Sequence, residues 1–129
     1  MKNKLRTTIM GVACTVFGAC AQKGNVVNVN ANEFEGMLAS DGVQLVDVRT
    51  QGEYDGGHIG GALNIDVKSP DFKAKAMDLL DPSKKALVYC RSGRRSLEAA
   101  GILVNAGFKV VNLKGGILEW EDACKPIKK

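Results

Sequence analysis

Short aliphatic runs alternate with helix-forming segments along most of the chain, and this alternation is the feature that most constrains its fold. The runs have only four or five residues, which is typical of strands buried on both faces of a sheet. Such strands form parallel sheets when helices separate them, because a parallel pair needs a crossover connection. The sequence therefore predicts a three-layer α/β/α domain over residues 25–127, with a five-stranded parallel sheet at 26–29, 44–48, 62–65, 86–89 and 109–113.

Two of the predicted helices begin with the spacing of a capping box, in which a polar side chain caps the helix and a glutamate follows three residues later. Asn30 pairs with Glu33 in this way, and Thr50 pairs with Glu53. The periodicity of apolar residues predicts further helices at 70–80, 96–106 and 117–123. In the first of these three, we expect one buried face formed by Phe72, Ala76, Leu79 and Leu80.

Residues 1–19 have the layout of a secretory signal peptide. Lys2, Lys4 and Arg6 precede an uncharged run over 7–19 that is too short for an ordinary membrane-spanning helix. The tetrad 17–20 (FGAC) resembles a bacterial lipobox, which implies cleavage before Cys20 and lipid attachment to it, although Phe17 stands where Leu is usual. We expect an exported, periplasmic protein that contacts the membrane only through lipid on Cys20, with 20–24 as a tether. Cleavage of a plain signal nearby is the alternative.

The charge balance argues against a nucleic-acid partner. Eighteen Lys and Arg residues against 14 Asp and Glu residues give the chain a net charge of +4. Removal of residues 1–19 leaves 15 basic and 14 acidic residues, so the remaining chain has a net charge of +1. Aromatic residues make up only 5% of the chain, which gives little surface for stacking bases. We expect a monomer without bound nucleic acid.

One segment carries the residue types of a nucleophilic site. Cys90 ends a predicted buried strand, and the segment 90–96 (CRSGRRS) leads into a predicted helix. The carboxyl ends of parallel strands are where α/β sheets bind ligands, and a helix N-terminus there favours an anion. The positive charges of Arg91, Arg94 and Arg95 act in the same direction, and each effect favours the reactive thiolate of Cys90. Gly93 permits the loop N–H groups to curl inward around an anion.

Asp47 and Arg49 lie at the end of a neighbouring predicted strand. They either support the 90–96 loop and border its pocket or form a purely structural ion pair. Neither reading is favoured by the sequence.

Several motifs in order resemble the single-domain rhodaneses, the thiosulfate and persulfide sulfurtransferases. The segment 90–96 resembles the active-site loop of that family, and 45–49 (LVDVR) resembles the motif of its second strand. Residues 57–65 (GHIGGALNI), preceded by Glu53, and the segment from Gly107 to Trp120 resemble two further signatures. Gly60 departs from the pattern, since Pro is common there. The resemblance implies a rhodanese-like α/β/α fold.

The resemblance also implies a mechanism. Cys90 would take sulfur from a small anionic donor as a persulfide, the loop from Arg91 through Ser92, Gly93, Arg94 and Arg95 to Ser96 would hold it, and a thiol or cyanide would accept it. Arg91 and Arg95 are the expected anion contacts, and no cofactor is implied. His58 falls in a structural turn of the family rather than at a catalytic position.

The sequence fits three other functions less well. Phosphatases and arsenate reductases of related architecture place Arg after Cys and five intervening residues, where this chain has Ser96. Non-catalytic rhodanese-like modules usually lack the cysteine. A redox role would pair Cys90 with Cys124, which the sequence does not place near it. A metal site is not expected either, because one His and scattered Cys lack ligand spacing.

Overall fold

The computed structural model describes residues 26–129. The predicted signal peptide (1–19) and tether (20–24), with Cys20, lie outside these residues. The described chain forms five strands and five helices in alternation. In chain order they are β1 (Val26–Val29), α1 (Ala31–Leu38), β2 (Val43–Asp47), α2 (Gln51–Asp55), β3 (Leu63–Asn64), α3 (Phe72–Leu79), β4 (Lys85–Tyr89), α4 (Arg94–Asn105), β5 (Val110–Leu113) and α5 (Gly116–Asp122).

The five strands form one parallel sheet in the order β1-β5-β4-β2-β3. Strand β4 occupies the centre, and its register places Leu87 beside Leu45 of β2 and Val111 of β5. All strands run the same way, so their carboxyl ends meet at a single edge of the sheet. The predicted α/β fold with a five-stranded parallel sheet is confirmed.

Two hydrophobic cores fill the space between the sheet and its helices. On one face, Phe72 and Ala76 of α3 and Ala99 and Leu103 of α4 pack on strand residues such as Val88. On the other face, α1 and α5 cover the sheet, and Phe34 meets Trp120 edge to face at a centroid distance of 6.4 Å. Burial of apolar surface on both faces is the main source of stability for a sheet of this kind.

The structure corrects two details of the predicted helices. Leu79 is 53% exposed, whereas Leu80 is buried, so the expected four-residue buried face on the 70–80 helix is wrong at Leu79. Leu80 lies past the end of α3 in extended backbone, which turns its side chain back to the core. Helix α4 begins at Arg94 rather than at residue 96, because Gly93 caps it in the left-handed conformation.

Both capping boxes are present. The side chains of Asn30 and Thr50 each accept a hydrogen bond from the backbone N–H of a glutamate three residues on, and the carboxylates of Glu33 and Glu53 accept one from the backbone N–H of the cap residue. Within residues 26–129, none of the helices is both long and apolar enough to cross a membrane.

Candidate active site

Cys90 is the first residue after the central strand β4, at the carboxyl edge of the sheet. The residue is only 1% exposed, and a tight turn carries the chain from it to the start of α4. The backbone N–H of Gly93 donates a hydrogen bond to Sγ of Cys90 at 3.1 Å. The thiol therefore faces the N-terminal end of a 12-residue helix, which is a favourable place for a negative charge.

Gly93 determines the shape of this loop. Its φ angle is +100°, and a Cβ at this position would lie 2.1 Å from the carbonyl oxygen of Lys114. A side chain would thus meet both backbone strain and a collision with rigid backbone. The buried Ser96 hydroxyl donates to the Gly93 carbonyl at 3.1 Å, which holds the turn against the first turn of α4.

Hydrogen bonding decides the ionisation of Cys90. Burial raises the pKa of the thiol, but hydrogen bonds to the Ser96 side chain and to the backbone of Ser96, Gly93 and Ser92 outweigh burial, so the pKa lies below its usual value. The leading causes of this shift are therefore groups of the loop itself. The charge of Arg95 also interacts with that of Cys90, but it is not among the largest causes of the shift.

The segment after β5 supports the loop from the opposite side. The backbone N–H of Ile117 donates to the carbonyl of Cys90 at 2.9 Å, and that of Leu118 donates to the carbonyl of Arg91 at 3.2 Å. Gly116 has a φ of +66°, and a Cβ there would lie 2.2 Å from the Arg91 carbonyl oxygen. Backbone therefore packs directly on backbone at this point, and only glycine permits it.

Arg95 forms a two-point ion pair with Glu53 of α2. Its Nη1 and Nη2 atoms donate to the two carboxylate oxygens at 2.8 and 2.9 Å. This contact holds the pKa of Glu53 at about 2, well below its usual value. The expectation that Arg95 contacts a bound anion stays a prediction, while its observed contact is with Glu53. Arg91 and Arg94 are exposed and form no ion pair within residues 26–129.

Asp47 and Arg49 form a buried ion pair beside the loop, with 2.7 Å between Nη2 and Oδ2. Arg49 also donates to the carbonyl of Gly57 at 2.7 Å. The Tyr89 hydroxyl donates to Asp47 at 2.7 Å and accepts from the N–H of Ile59 at 3.0 Å. Burial raises the pKa of Tyr89, so the hydroxyl stays protonated and keeps donating. The pair thus ties the end of β2 to the last residue of β4, directly before Cys90.

A shallow depression of about 250 Å³ lies beside the loop. Its lining includes Arg91 of the loop, Arg49 and Glu53 on one side, and Leu118 and Glu121 of α5 on the other. Two larger depressions, of about 400 and 450 Å³, contain no residue of the 90–96 loop in their lining. Of these three depressions, the one of about 250 Å³ borders the 90–96 loop through Arg91, and Cys90 itself is not in its lining.

His58 has a structural environment. Its Nδ1 lies 2.9 Å from the carbonyl oxygen of Tyr54, and its ring stacks on the Tyr54 ring at 3.8 Å. Its backbone forms an antiparallel bridge with Lys128. Among the described residues there is no group of three or more His, Cys, Asp or Glu side chains able to hold a metal ion. Cys90 and Cys124 are both free thiols, the first buried and the second exposed.

This loop and its supports lie within a region that matches a known family. Residues 30–123 match the model of the rhodanese-like domain. The chain belongs to the rhodanese-like domain family. It is 41% identical to thiosulfate sulfurtransferase 18 of Arabidopsis thaliana over 114 residues, which cover 79% of this chain and 83% of that protein. The family is thus one with sulfurtransferases among its members.

Rhodanese-like domains of similar sequence also occur in longer proteins. The chain is 36% identical over 93 residues to a tRNA uridine(34) hydroxylase of Oceanobacillus iheyensis, a match that covers 68% of this chain and 28% of that protein. A crystal structure of a rhodanese-related protein from Thermoplasma volcanium has the same fold, with a TM-score of 0.70 and 27% identity over 79% of this chain and 97% of that one. The fold predicted from the rhodanese resemblance is confirmed.

Three supports of the rhodanese-like loop were not assigned from the sequence. The spacing around Glu53 indicates a capping residue and a family signature, but its pairing with Arg95 joins residues 42 positions apart. The position of Tyr89 indicates only a strand residue. Glu119 accepts from the N–H groups of Gly115 and Ala31, and so fixes the turn before α5. The glycine pair 115–116 was the one visible signal, since paired glycines mark close backbone approach.

Proposed function

We propose that this protein is a sulfurtransferase that carries sulfur as a persulfide on Cys90. The Cys90 thiolate attacks the outer sulfur of thiosulfate, a polysulfide or a persulfide. A bond forms between Sγ and that sulfur, the original bond to that sulfur breaks, and sulfite, a polysulfide shortened by one sulfur or a thiolate, respectively, leaves with the electron pair. An acceptor thiolate or cyanide then attacks the outer sulfur, and the electron pair of the broken bond returns to Sγ.

The single observation that carries this proposal is the contact between the Gly93 N–H and Sγ of Cys90 at 3.1 Å. It places the sulfur atom at the mouth of a loop whose N–H groups lower the pKa of the thiol. The same donors would stabilise the Cys90 thiolate, its persulfide and the leaving group, because all three carry negative charge at the same place. The donor would be a small anion and the acceptor a thiol or cyanide.

Loop length supports sulfur over phosphate as the transferred group. Helix α4 begins at Arg94, so only three residues separate Cys90 from the helix. Arg95 is paired with Glu53, and Ser96 is buried with its hydroxyl bonded to the loop. No arginine follows Cys90 after five intervening residues, where the phosphatase pattern requires one to hold phosphate.

The proposal is tested by conversion of thiosulfate and cyanide to thiocyanate. The wild-type protein should catalyse the reaction, and Cys90→Ala should reduce it to the uncatalysed rate. Cys124→Ala is the matched control, since it removes the exposed thiol and should retain the activity. Equal activity of the wild type and Cys90→Ala would overturn the proposal.

We also propose, from the sequence of residues 1–20, that the protein is exported and held at a bacterial membrane by lipid on Cys20. Cleavage before that residue would leave the six residues 20–25 in front of β1, which begins at Val26. Such a tether would keep the domain close to the membrane surface.

A further inference from the structure

The depression beside the loop contains four charged side chains, and two of them are already neutralised. Arg49 is paired with Asp47 at 2.7 Å, and Glu53 is paired with Arg95 at 2.8 Å. The two others, Arg91 and Glu121, are exposed, and neither side chain has an ion-pair partner within residues 26–129. The depression thus presents one free positive and one free negative charge.

The two free charges belong to two segments that meet at Leu118. Arg91 directly follows Cys90, and its carbonyl accepts the N–H of Leu118 at 3.2 Å. Glu121 lies three residues beyond Leu118, on the same face of α5 and about 4.5 Å further along the helix. Leu118 is 38% exposed between them and offers an apolar floor.

We propose that this depression holds the α-amino-acid headgroup of a small zwitterionic thiol, the sulfur acceptor of the proposed reaction. The carboxylate of the ligand pairs with Arg91, its ammonium group pairs with Glu121, and its thiol extends toward Cys90. A volume of about 250 Å³ suits a ligand of this size rather than a folded partner. A cysteine within a protein chain has its amino and carboxyl groups in peptide bonds and would not match both charges.

This inference rests on the proposed function, because it names the acceptor of the same site. The acceptor thiolate attacks the outer sulfur of the Cys90 persulfide, and the bond between Sγ and that sulfur breaks. The electron pair returns to Sγ, and the acceptor leaves as its persulfide. Because the step is reversible, the same headgroup contacts would serve a zwitterionic persulfide acting as donor.

The test compares L-cysteine, cysteamine and 3-mercaptopropionate as acceptors from Cys90 that has been loaded with thiosulfate. Cysteamine lacks the carboxylate, and 3-mercaptopropionate lacks the ammonium group. For each thiol, kcat/KM of the variant is divided by kcat/KM of the wild type. The intrinsic reactivity of the thiol cancels in this ratio, so the ratios can be compared between thiols. Glu121→Lys should lower kcat/KM for cysteamine about fivefold and raise it for 3-mercaptopropionate, as expected for exposed charge pairs. The effect should shrink at high salt.

Asp122→Lys is the matched control, since Asp122 is also exposed, lies on the same helix and does not line the depression. Asp122→Lys should change kcat/KM by the same factor for all three thiols. Equal ratios for all three thiols with Glu121→Lys, in protein that still forms the persulfide, would overturn this inference and leave the proposed function standing. Absence of the persulfide in the wild type would instead overturn the proposed function.

Discussion

At the scale of single residues, burial and hydrogen bonding have opposite effects on the pKa of Cys90. A buried thiol ordinarily resists ionisation, because the apolar interior does not solvate its charge. Here the loop supplies the solvation that water would give, through backbone N–H groups such as that of Gly93, which donates to Sγ at 3.1 Å. A cysteine with only 1% exposure is thereby suited to act as a nucleophile.

Replacement of Ser96 tests this balance. Ser96→Ala removes a hydroxyl that favours the thiolate of Cys90 over the thiol, so the pKa of Cys90 should rise. The measurement is the pH dependence of alkylation by iodoacetamide, followed by mass on the peptide that contains Cys90. Cys124 in the same sample is the internal control, and its profile should not move. An unchanged Cys90 profile in Ser96→Ala would contradict this account of the thiol.

At the scale of structural elements, the 90–96 loop is fixed by segments that lie far away in sequence. Lys114 blocks any side chain at Gly93, α5 donates to the carbonyls of Cys90 and Arg91, and Glu53 of α2 holds Arg95. The conformation of the loop therefore depends on the segments that follow β2, β4 and β5.

The cost of a collision between a side chain at Gly93 and the backbone of Lys114 can be measured separately from the cost of left-handed backbone. Gly93 and Gly107 have φ angles of +100° and +101°, but a Cβ on Gly107 would meet nothing within 4 Å. Gly107→Ala should cost about 1 kcal/mol in the free energy of unfolding, from left-handed backbone alone. Gly93→Ala should cost at least about 2 kcal/mol more, from the collision, and should slow persulfide formation. Urea denaturation compares the two variants, and equal losses of stability would contradict the packing described.

The ion pair between Glu53 and Arg95 should affect how the free energy of unfolding changes at acidic pH. The pKa of Glu53 is about 2 in the folded state, against an ordinary value of 4.5. Its contribution is thus fully present above about pH 4.5 and is lost as the pH falls toward 2. We expect the ion pair to contribute about 1 kcal/mol to the free energy of unfolding, since both side chains are partly exposed.

Glu53→Gln should flatten this part of the stability curve, measured by urea denaturation between pH 5 and 2.5, about the range of the titration. Gln still completes the capping box, so the change isolates the charge. Glu33→Gln is the matched control, because it makes the same change at the same position of α1 with no arginine partner within the described chain. Parallel curves for Glu53→Gln and wild type would show that the ion pair does not stabilise the fold.

At the scale of the whole molecule, the features that could be predicted from sequence were local ones. Capping boxes at Asn30 and Thr50, the short aliphatic strands and the 90–96 loop each depend on residues a few positions apart. The pairing of Arg95 with Glu53 could not be predicted, because it depends on how β2 and β4 lie side by side. The burial of Leu80 instead of Leu79 depends likewise on where α3 ends against the core, which periodicity does not specify.

The proposed export of the protein concerns residues outside the described domain and needs its own test. In a bacterial host, Cys20→Ser should move the protein from the membrane fraction to the soluble fraction, because the lipid attachment site is lost. Cys14→Ser is the matched control, since it changes a cysteine within the predicted signal and leaves Cys20 in place. Unchanged membrane association of Cys20→Ser would refute anchoring by lipid at this residue.

The central claim is that sulfur is carried on Cys90, and one mass measurement tests it directly. The protein is treated with thiosulfate, freed of excess reagent and digested without reductant, and the peptides containing Cys90 and Cys124 are weighed. We expect a gain of one sulfur atom on the Cys90 peptide alone, reversed by cyanide. An unmodified Cys90 peptide, or sulfur appearing equally on the exposed Cys124, would contradict it.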